Sequence, residues 1–530
     1  MSLPSRCDVV VIGAGMGGLT SAALLAGAGL SVCVLEATSR PGGYLAGFRR
    51  GPFVFDTAIH WLNQCGPGGV VRKALDLIGP GAPEMAPLRR VRRYKGDSFD
   101  FLLSDQPDRL REDLTRRWPA EEAGLRAFFA AAKRLGEAFS RLCAYTRGPD
   151  TMSLWERCKL GMNMGRVTVP FWRHLGVGAE AGLRRFFRDE GLRGVFCAEE
   201  DILSCLVPIG WAYTGDYQLP PRGGSQQLPI WLAGRLEELG ATVACRSRVT
   251  QVLLEDGRAA GVRLVRGREQ VVHEVRARWV IAACDQELLY ERLLPPGTVA
   301  PRLLERVRGA ELYDSSVTVS LGLSIPPEEL GFGEELVFLT RDGVARADHS
   351  SGDPHTAGIS ILAPSLRDPS LAPPGKGTLT AYVPARLEWG ERWHTGPDLE
   401  RGQAYKDFKR RYADVLLDRI EAALAPDLRR HIELCEVATP VTHLRYTGNR
   451  GGTIMAQRPT RANMRAKVAH YRTPVPGLLL GGHWAEYGGG VPVAVRAGIN
   501  SALLVLREQR AEAFERLSAA LDAPQAVAAG

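Results

Sequence analysis

The sequence predicts an α/β protein in which a parallel-stranded domain is interleaved with an α+β unit. Three observations carry this. Residues 9–36 run strand, glycine turn, helix, strand. Residues 477–507 repeat the order strand, glycine loop, helix. Near residue 220, after a long helical stretch, the chain returns to short alternating elements. One nucleotide-binding sheet interrupted by an insertion accounts for all three.

The first element is Val9-Val10-Val11-Ile12, a β-branched run suited to a fully buried parallel strand. Gly13-Ala14-Gly15-Met16-Gly17-Gly18 follows at once and reads G-x-G-x-x-G between strand and helix. Leu19 to Gly29 is the helix, Leu30 to Leu35 the second strand, and Glu36 closes it. Gly13 can turn the backbone sharply. Gly15 lets it approach a pyrophosphate, and Gly18 lets helix and strand pack closely. The helix N-terminus offers N–H groups to the phosphates. Glu36 stands where a carboxylate can accept from ribose hydroxyls. This is a Rossmann-type dinucleotide site. A chance glycine cluster in a buried hairpin competes with it, and so does a membrane span, since Val9 to Leu35 carries no charge. The six glycines and the adjoining Glu36 argue against a span. Asp8 beside the apolar run argues against a signal peptide.

Arg40-Pro41-Gly42-Gly43 extends the pattern to E-x-x-x-R-x-G-G. This resembles the extended motif of FAD-binding oxidoreductases, in which FAD lies across the whole domain. Gly42 and Gly43 let the loop pass near the phosphates, with Arg40 as counter-charge; an ordinary surface cation is the plain alternative for Arg40.

Composition fits a globular chain of two or three domains: 530 residues, 45% hydrophobic and 24% charged. The net charge of +8 and pI near 9.0 accompany no zinc finger, RNA-binding signature or long basic run, so no nucleic-acid partner is expected. Ten cysteines, Cys197 among them, include no C-x-x-C pair and read as free thiols of a reducing cytoplasm. Ten scattered histidines lack metal-ligand spacing, so no metal is expected.

Arg49 to Leu62 follows, with His60 and Trp61 as candidate pocket residues; a satisfied structural histidine is the open alternative. Weak strands are expected at Val91 to Tyr94 and Phe99 to Leu103, then a helix up to Leu142 with a core-facing stripe. Leu154 to Phe187 is rich in Trp, Phe and Met, with eight cations against three anions between Arg157 and Arg193. Such a segment can lie in a bilayer interface; a cap helix over a substrate pocket stays open. After Pro220-Pro221-Arg222-Gly223-Gly224-Ser225 come a helix from Gln226 to Leu239 and strands at Val249 to Leu254, Ala260 to Val265 and Val275 to Ala283, with an Asp256-Gly257 turn. Strands at Ser316 to Leu323 and Thr378 to Val383 and a helix from Asp398 to Leu424 continue the α+β unit. Gly477 to Pro492 is the last glycine unit, with a helix from Val493 to Arg507. From Ala511 the chain reads as a helix remnant and an Ala-rich, frayed end.

Together the G-x-G-x-x-G…E-x-x-x-R-x-G-G start, the P-x-G-G-S…GRAAGVRL middle and the GLLLGG…GGGVP end resemble the phytoene desaturase / carotenoid isomerase family, which includes retinol saturase-like enzymes. The match covers roughly residues 8–62, 218–285 and 475–507. The resemblance implies a Rossmann-type FAD-binding domain of amine oxidase/GDI-like architecture with an interleaved α+β substrate domain. The expected division is 1–75, 218–300 and 445–510 for FAD binding, and 76–217 with 301–444 for substrate. Residues 154–187 would hold the membrane-facing helices and 511–530 the tail.

The resemblance further implies that Gly13, Gly15 and Gly18 hold the pyrophosphate and Glu36 the adenosine ribose. Arg40, Gly42 and Gly43 approach the phosphates, Val249 meets the adenine, and Gly482, Gly490 and Val491 lie by the flavin. Many relatives carry Gly-Asp where this chain has Gly482-His483, so His483 replaces or forgoes that contact, or with Trp484 reaches the substrate side. His60, His483 and Glu486 are the candidates for a base. The implied activity is desaturation of a long apolar polyene by hydride transfer to flavin. Saturation, redox-neutral isomerisation, a flavin amine or small-metabolite oxidase, and a non-enzymatic GDI-like binder are the rivals. The expected site of action is the cytoplasm, with peripheral contact on the inner face of the membrane.

Overall fold

The computed structural model describes residues 3–143, 145–196 and 201–523, with backbone only at positions 164, 166, 167, 170 and 171. Cys197 and the last seven residues of the expected tail lie outside the described residues. In chain order the strands are β1 (Arg6–Ile12), β2 (Val32–Leu35), β3 (Gly47–Arg50), β4 (Phe53–Asp56), β5 (Arg90–Lys95), β6 (Asp100–Ser104), β7 (Thr242–Ala244) and β8 (Ser247–Glu255). They continue with β9 (Arg258–Arg266), β10 (Val271–Ala282), β11 (Ser315–Leu323), β12 (Leu336–Leu339), β13 (Ile359–Leu362), β14 (Gly377–Ala385), β15 (Ile432–Ala438) and β16 (Leu478–Leu480).

One sheet runs β7-β2-β1-β10-β9-β8, with β16 also on β10. The register explains how β10 serves three partners. Its first half pairs antiparallel with β9 from Val271 to Arg276. Its second half lies parallel to β1, up to Ile12 beside Ala282, and parallel to β16 over Val280 to Ala282. The latest strand in the chain therefore ends one strand away from the earliest. Val9 to Val11, Val32 to Leu35 and Leu478 to Leu480 are all buried, as strands covered on both faces must be. The Val9 to Leu35 run is thus strand, helix and strand. The apolar helix Gly490–Gln509 has the length and composition of a membrane span, but 72% of that window is buried in the fold.

The second sheet runs β15-β11-β14-β13-β12-β5-β6. It is antiparallel except where β5 joins β12. β5 and β6 come from the chain before residue 218 and the rest from after residue 301, so this α+β layer is interleaved with the first. A third hydrophobic cluster, around Phe128, Phe129, Leu183, Phe187 and Phe196, holds the helical insertion together.

Two expectations are corrected. The helix expected from Ala511 forms over residues 511–522 but is docked, not frayed: Ala513, Phe514 and Leu521 lie in the core of the first sheet, because an apolar face meets the helix Gly490–Gln509. Of the segment 154–187, Leu183 and Phe187 are core residues packed on Phe128; the exposed apolar surface lies in the helix Leu154–Trp172 alone. Smaller differences are end effects. The helix after residue 490 starts at Gly490, and the long helix of the α+β unit starts at Gln403 because Pro397–Leu399 is a separate turn.

Candidate functional site

The site is built where β1, β10 and β16 end together. At this edge Ala283 N–H donates to Ile12 O at 2.8 Å and Gly481 N–H to Ala282 O at 3.0 Å. Both glycine loops leave their strands here, beside the point where the sheet order turns back at β1. Crevices at such points are where open α/β sheets bind ligands. The loops touch each other through backbone. A Cβ on Gly17 would stand 2.5 Å from Gly481 O and 3.0 Å from Gly482 Cα. One on Gly18 would stand 2.1 Å from Gly13 O and 3.1 Å from Ala283 Cβ. One on Gly498 would stand 2.4 Å from Gly17 O, so the helices Met16–Gly27 and Gly490–Gln509 pack without intervening side chains.

Gly15 differs. It is the N-cap of the helix Met16–Gly27, makes no side-chain cap, and a Cβ there would meet nothing within 4 Å. An uncapped helix start beside open space has N–H groups free for an anion. The Arg40–Gly43 loop borders the same space. Gly42 N–H donates to Ala14 O at 2.8 Å, and Gly43 would bring a Cβ to 3.4 Å from Gly15 Cα. Gly42 has φ +139°, a conformation L side chains rarely adopt.

The Glu36 carboxylate is oriented from three directions: Ala14 N–H at 2.9 Å, Thr38 N–H at 2.7 Å and Thr38 Oγ1 at 2.8 Å. A carboxylate accepts about four hydrogen bonds, so one position remains. Val249 lies in β8, buried, two residues beyond Ser247, whose N–H donates to Glu36 O at 2.8 Å. Arg40 turns toward Gly47 O at 3.2 Å and Gln226 Oε1 at 3.4 Å. Gln226 also accepts from Gly47 N–H at 3.0 Å and donates to Pro41 O at 3.2 Å, tying the loop after β2 to the helix Gln227–Glu238.

The second loop carries the other candidates. Gly482 would place a Cβ 3.2 Å from Ala283 Cα. Gly489 and Gly490 have φ +62° and +82°, and the helix beginning at Gly490 is again uncapped; Val491 is buried. His483 is driven down to about 4 by burial, so its ring is neutral, and its Nε2 is buried without a hydrogen-bond partner. Trp484 turns into the interior and donates to Asn449 Oδ1 at 3.1 Å. Glu486 is buried between Arg496 Nε at 2.6 Å and the Tyr471 hydroxyl. A carboxylate so engaged at both oxygens is poorly placed to take a substrate proton.

His60 lies against β14 of the second sheet. Its ring stacks on Tyr382 with centroids 4.1 Å apart, and burial with the nearby Arg367 charge drives it down to about 3. Arg367 donates to His60 O and to Glu334 O, and its buried Nη2 has no partner. The structure thus brings the glycines, Glu36, Gly42 and Gly43 together around one crevice. Sequence reasoning missed Ala283, Gln226, Gly498 and Arg367. A lone Ala at a strand end and a Gly inside a helix carry no local signal; Gln226, directly after Gly-Gly-Ser, could have been found.

The family described as flavin containing amine oxidoreductase matches residues 16–506. The all-trans-retinol 13,14-reductase of Danio rerio is 24% identical over 486 residues, covering 85% of this chain and 78% of that protein. Prolycopene isomerase 2, chloroplastic, of an Oncidium hybrid cultivar is 26% identical over 471 residues, covering 84% and 74%. Among solved structures, cyclohexylamine oxidase from Brevibacterium oxydans superposes with a TM-score of 0.56 at 17% identity, covering 96% of this chain and 100% of that one. At that identity the likeness is one of fold.

Proposed function

The chain belongs to the flavin containing amine oxidoreductases, and we propose that within this family it exchanges hydride with a carbon–carbon bond of a long apolar polyene, in the reducing direction. The crevice fits FAD: the open face at Gly15, the uncapped helix starts and the oriented Glu36 carboxylate are what a dinucleotide needs. Gly13, Gly15 and Gly18 would hold the pyrophosphate, with Arg40, Gly42 and Gly43 alongside. Glu36 would take the ribose, Val249 the adenine, and Gly482, Gly490 and Val491 the flavin end. When bound, FAD supplies a two-electron hydride centre.

The observation that carries the substrate class is the neutrality of the side chains around that end. His483 is held uncharged by burial, and the Glu486 carboxylate is charge-paired with Arg496. A hydrocarbon chain pays no desolvation against such groups, whereas a charged amine would. The reducing direction is favoured by the 13,14-reductase name of the relative from Danio rerio. The isomerase name of the Oncidium relative favours a redox-neutral second reading, and desaturation is the same step reversed.

Anaerobic mixing of the flavin-loaded protein with all-trans-retinol and with linear carotenes tests this. Pre-reduced flavin should reoxidise in step with a dihydro product. An isomerised product with the flavin still reduced would favour isomerisation, and bleaching of oxidised flavin would favour desaturation. Turnover of amines alone would overturn the polyene reading.

A further inference from the structure

A surface helix of a soluble domain ordinarily turns its apolar stripe inward. The helix Leu154–Trp172 carries one outward as well. Leu154, Trp155, Met162, Val169 and Trp172 are all exposed, Trp155 at 73% and Trp172 at 68%. At about 100° per residue these five positions fall within roughly 100° of arc, one continuous stripe. The half-buried positions Glu156, Leu160, Asn163 and Thr168 centre on the opposite side, where the helix packs on the helix Glu122–Cys143. Among the described side chains, the helix offers a continuous apolar stripe outward.

Its charges are arranged to match. Glu156, the one carboxylate in Leu154–Trp172, is paired at 2.8 Å with the buried Arg147 and accepts from Ser153 N–H at 2.6 Å. Arg157 and Lys159 are exposed on either flank of the stripe, and Arg173 follows its end. An apolar stripe carrying two tryptophans and bordered by cations is complementary to one surface, the headgroup and upper acyl region of an anionic bilayer.

We propose that Leu154–Trp172 docks this protein in the plane of an anionic lipid surface. The inference stands apart from the reaction, since it rests on the helix alone and is measured without turnover.

The test is co-sedimentation of the flavin-loaded protein with vesicles of phosphatidylcholine alone or mixed with phosphatidylglycerol, for the wild type and for a Trp155→Ser/Met162→Ser/Trp172→Ser variant. These side chains are solvent-facing, so the variant should keep its flavin and its Tm, which are measured alongside. A second variant, Arg157→Gln/Lys159→Gln, leaves the stripe intact. The wild type should pellet with the anionic vesicles and be released by salt. The triple variant should bind at least tenfold more weakly, and the charge variant should lose its preference for the anionic lipid. Failure of the wild type to pellet at low salt, or equal binding by the triple variant, would overturn the proposal. So would a wild-type dimer that the triple variant converts to monomer, which would make a second copy the occupant.

Discussion

At the residue scale the two glycines of the first loop have separable duties. Gly18 is pressed against Gly13 O and Ala283, whereas Gly15 faces open space at φ −77°. Gly18→Ala should therefore destabilise the fold itself by about 1–3 kcal/mol, as overpacking does. Gly15→Ala should leave the unfolding of the flavin-free protein within about 0.5 kcal/mol of wild type and weaken FAD binding. Thermal unfolding of apoprotein beside an FAD titration separates them; equal loss of stability in both would refute the assignment. His483 supports a second prediction. Its folded value near 4 lies below the ordinary histidine value of 6.5, so its neutral form is favoured in the folded state. That contribution is full above about pH 6.5 and is lost as pH falls toward 4, where the unfolded chain binds the extra proton. His483→Phe leaves no partner orphaned, since Nε2 has none. It should make the pH dependence of stability shallower by up to about one proton across that window. An unchanged slope in urea unfolding between pH 4 and 6.5 would contradict this.

At the element scale the last helix, Ala511–Asp522, is structural. Phe514 and Leu521 are buried, Lys73 Nζ donates to Leu521 O at 3.3 Å, and Arg147 pairs with Asp522 at 2.6 Å. Truncation after Gln509 should cost about 2–4 kcal/mol, the scale of two lost large apolar side chains, and lower Tm by several degrees. A truncated protein with the wild-type Tm would restore the frayed-tail expectation. The same scale shows what periodicity can and cannot reveal. The long helix of the insertion, Glu122–Cys143, was legible from Leu125, Phe128, Phe129, Ala132, Leu135 and Phe139, the first five of which are buried and the last half-buried. The last helix was legible as a helix but not as a docked one, because Ala-rich sequence carries little contrast between its faces, so only its neighbours decide whether it docks.

At the scale of the whole molecule, the crevice is assembled from segments hundreds of residues apart. Gly13–Gly18, Ala283 and Gly481–Gly482 meet in a single contact, and Glu36 lies at one end with Gly490 at the other loop. A ligand that reaches both ends should stabilise more than one reaching a single end. FAD at a hundredfold excess over its Kd should add about 2.7 kcal/mol to apoprotein stability. FMN, lacking the adenosine that Glu36 would hold, should add clearly less. Equal shifts in Tm at matched concentrations would argue against a role for Glu36.

What the sequence determined by itself was local. β-branched runs, glycine spacing and an acid at the end of β2 are all set by short-range sterics and burial, and they were enough to read a Rossmann-type, dinucleotide-binding α/β protein with an interleaved second unit; FAD in particular came from the resemblance of E-x-x-x-R-x-G-G to the extended motif of FAD-binding oxidoreductases. Even the second glycine loop was visible, at Gly481 to Gly490. The tertiary structure decided everything that depends on who stands opposite. It put β16 on β10, made Ala283 the contact shared by both loops, paired Glu486 with Arg496 and gave it the Tyr471 hydroxyl as donor, and stacked His60 on Tyr382. It also decided that Leu154–Trp172 faces outward while Leu183 and Phe187 face in. The physical reason is the same in each case. A side chain's charge state and burial are set by the groups packed on it, and those come from parts of the chain that no local window contains.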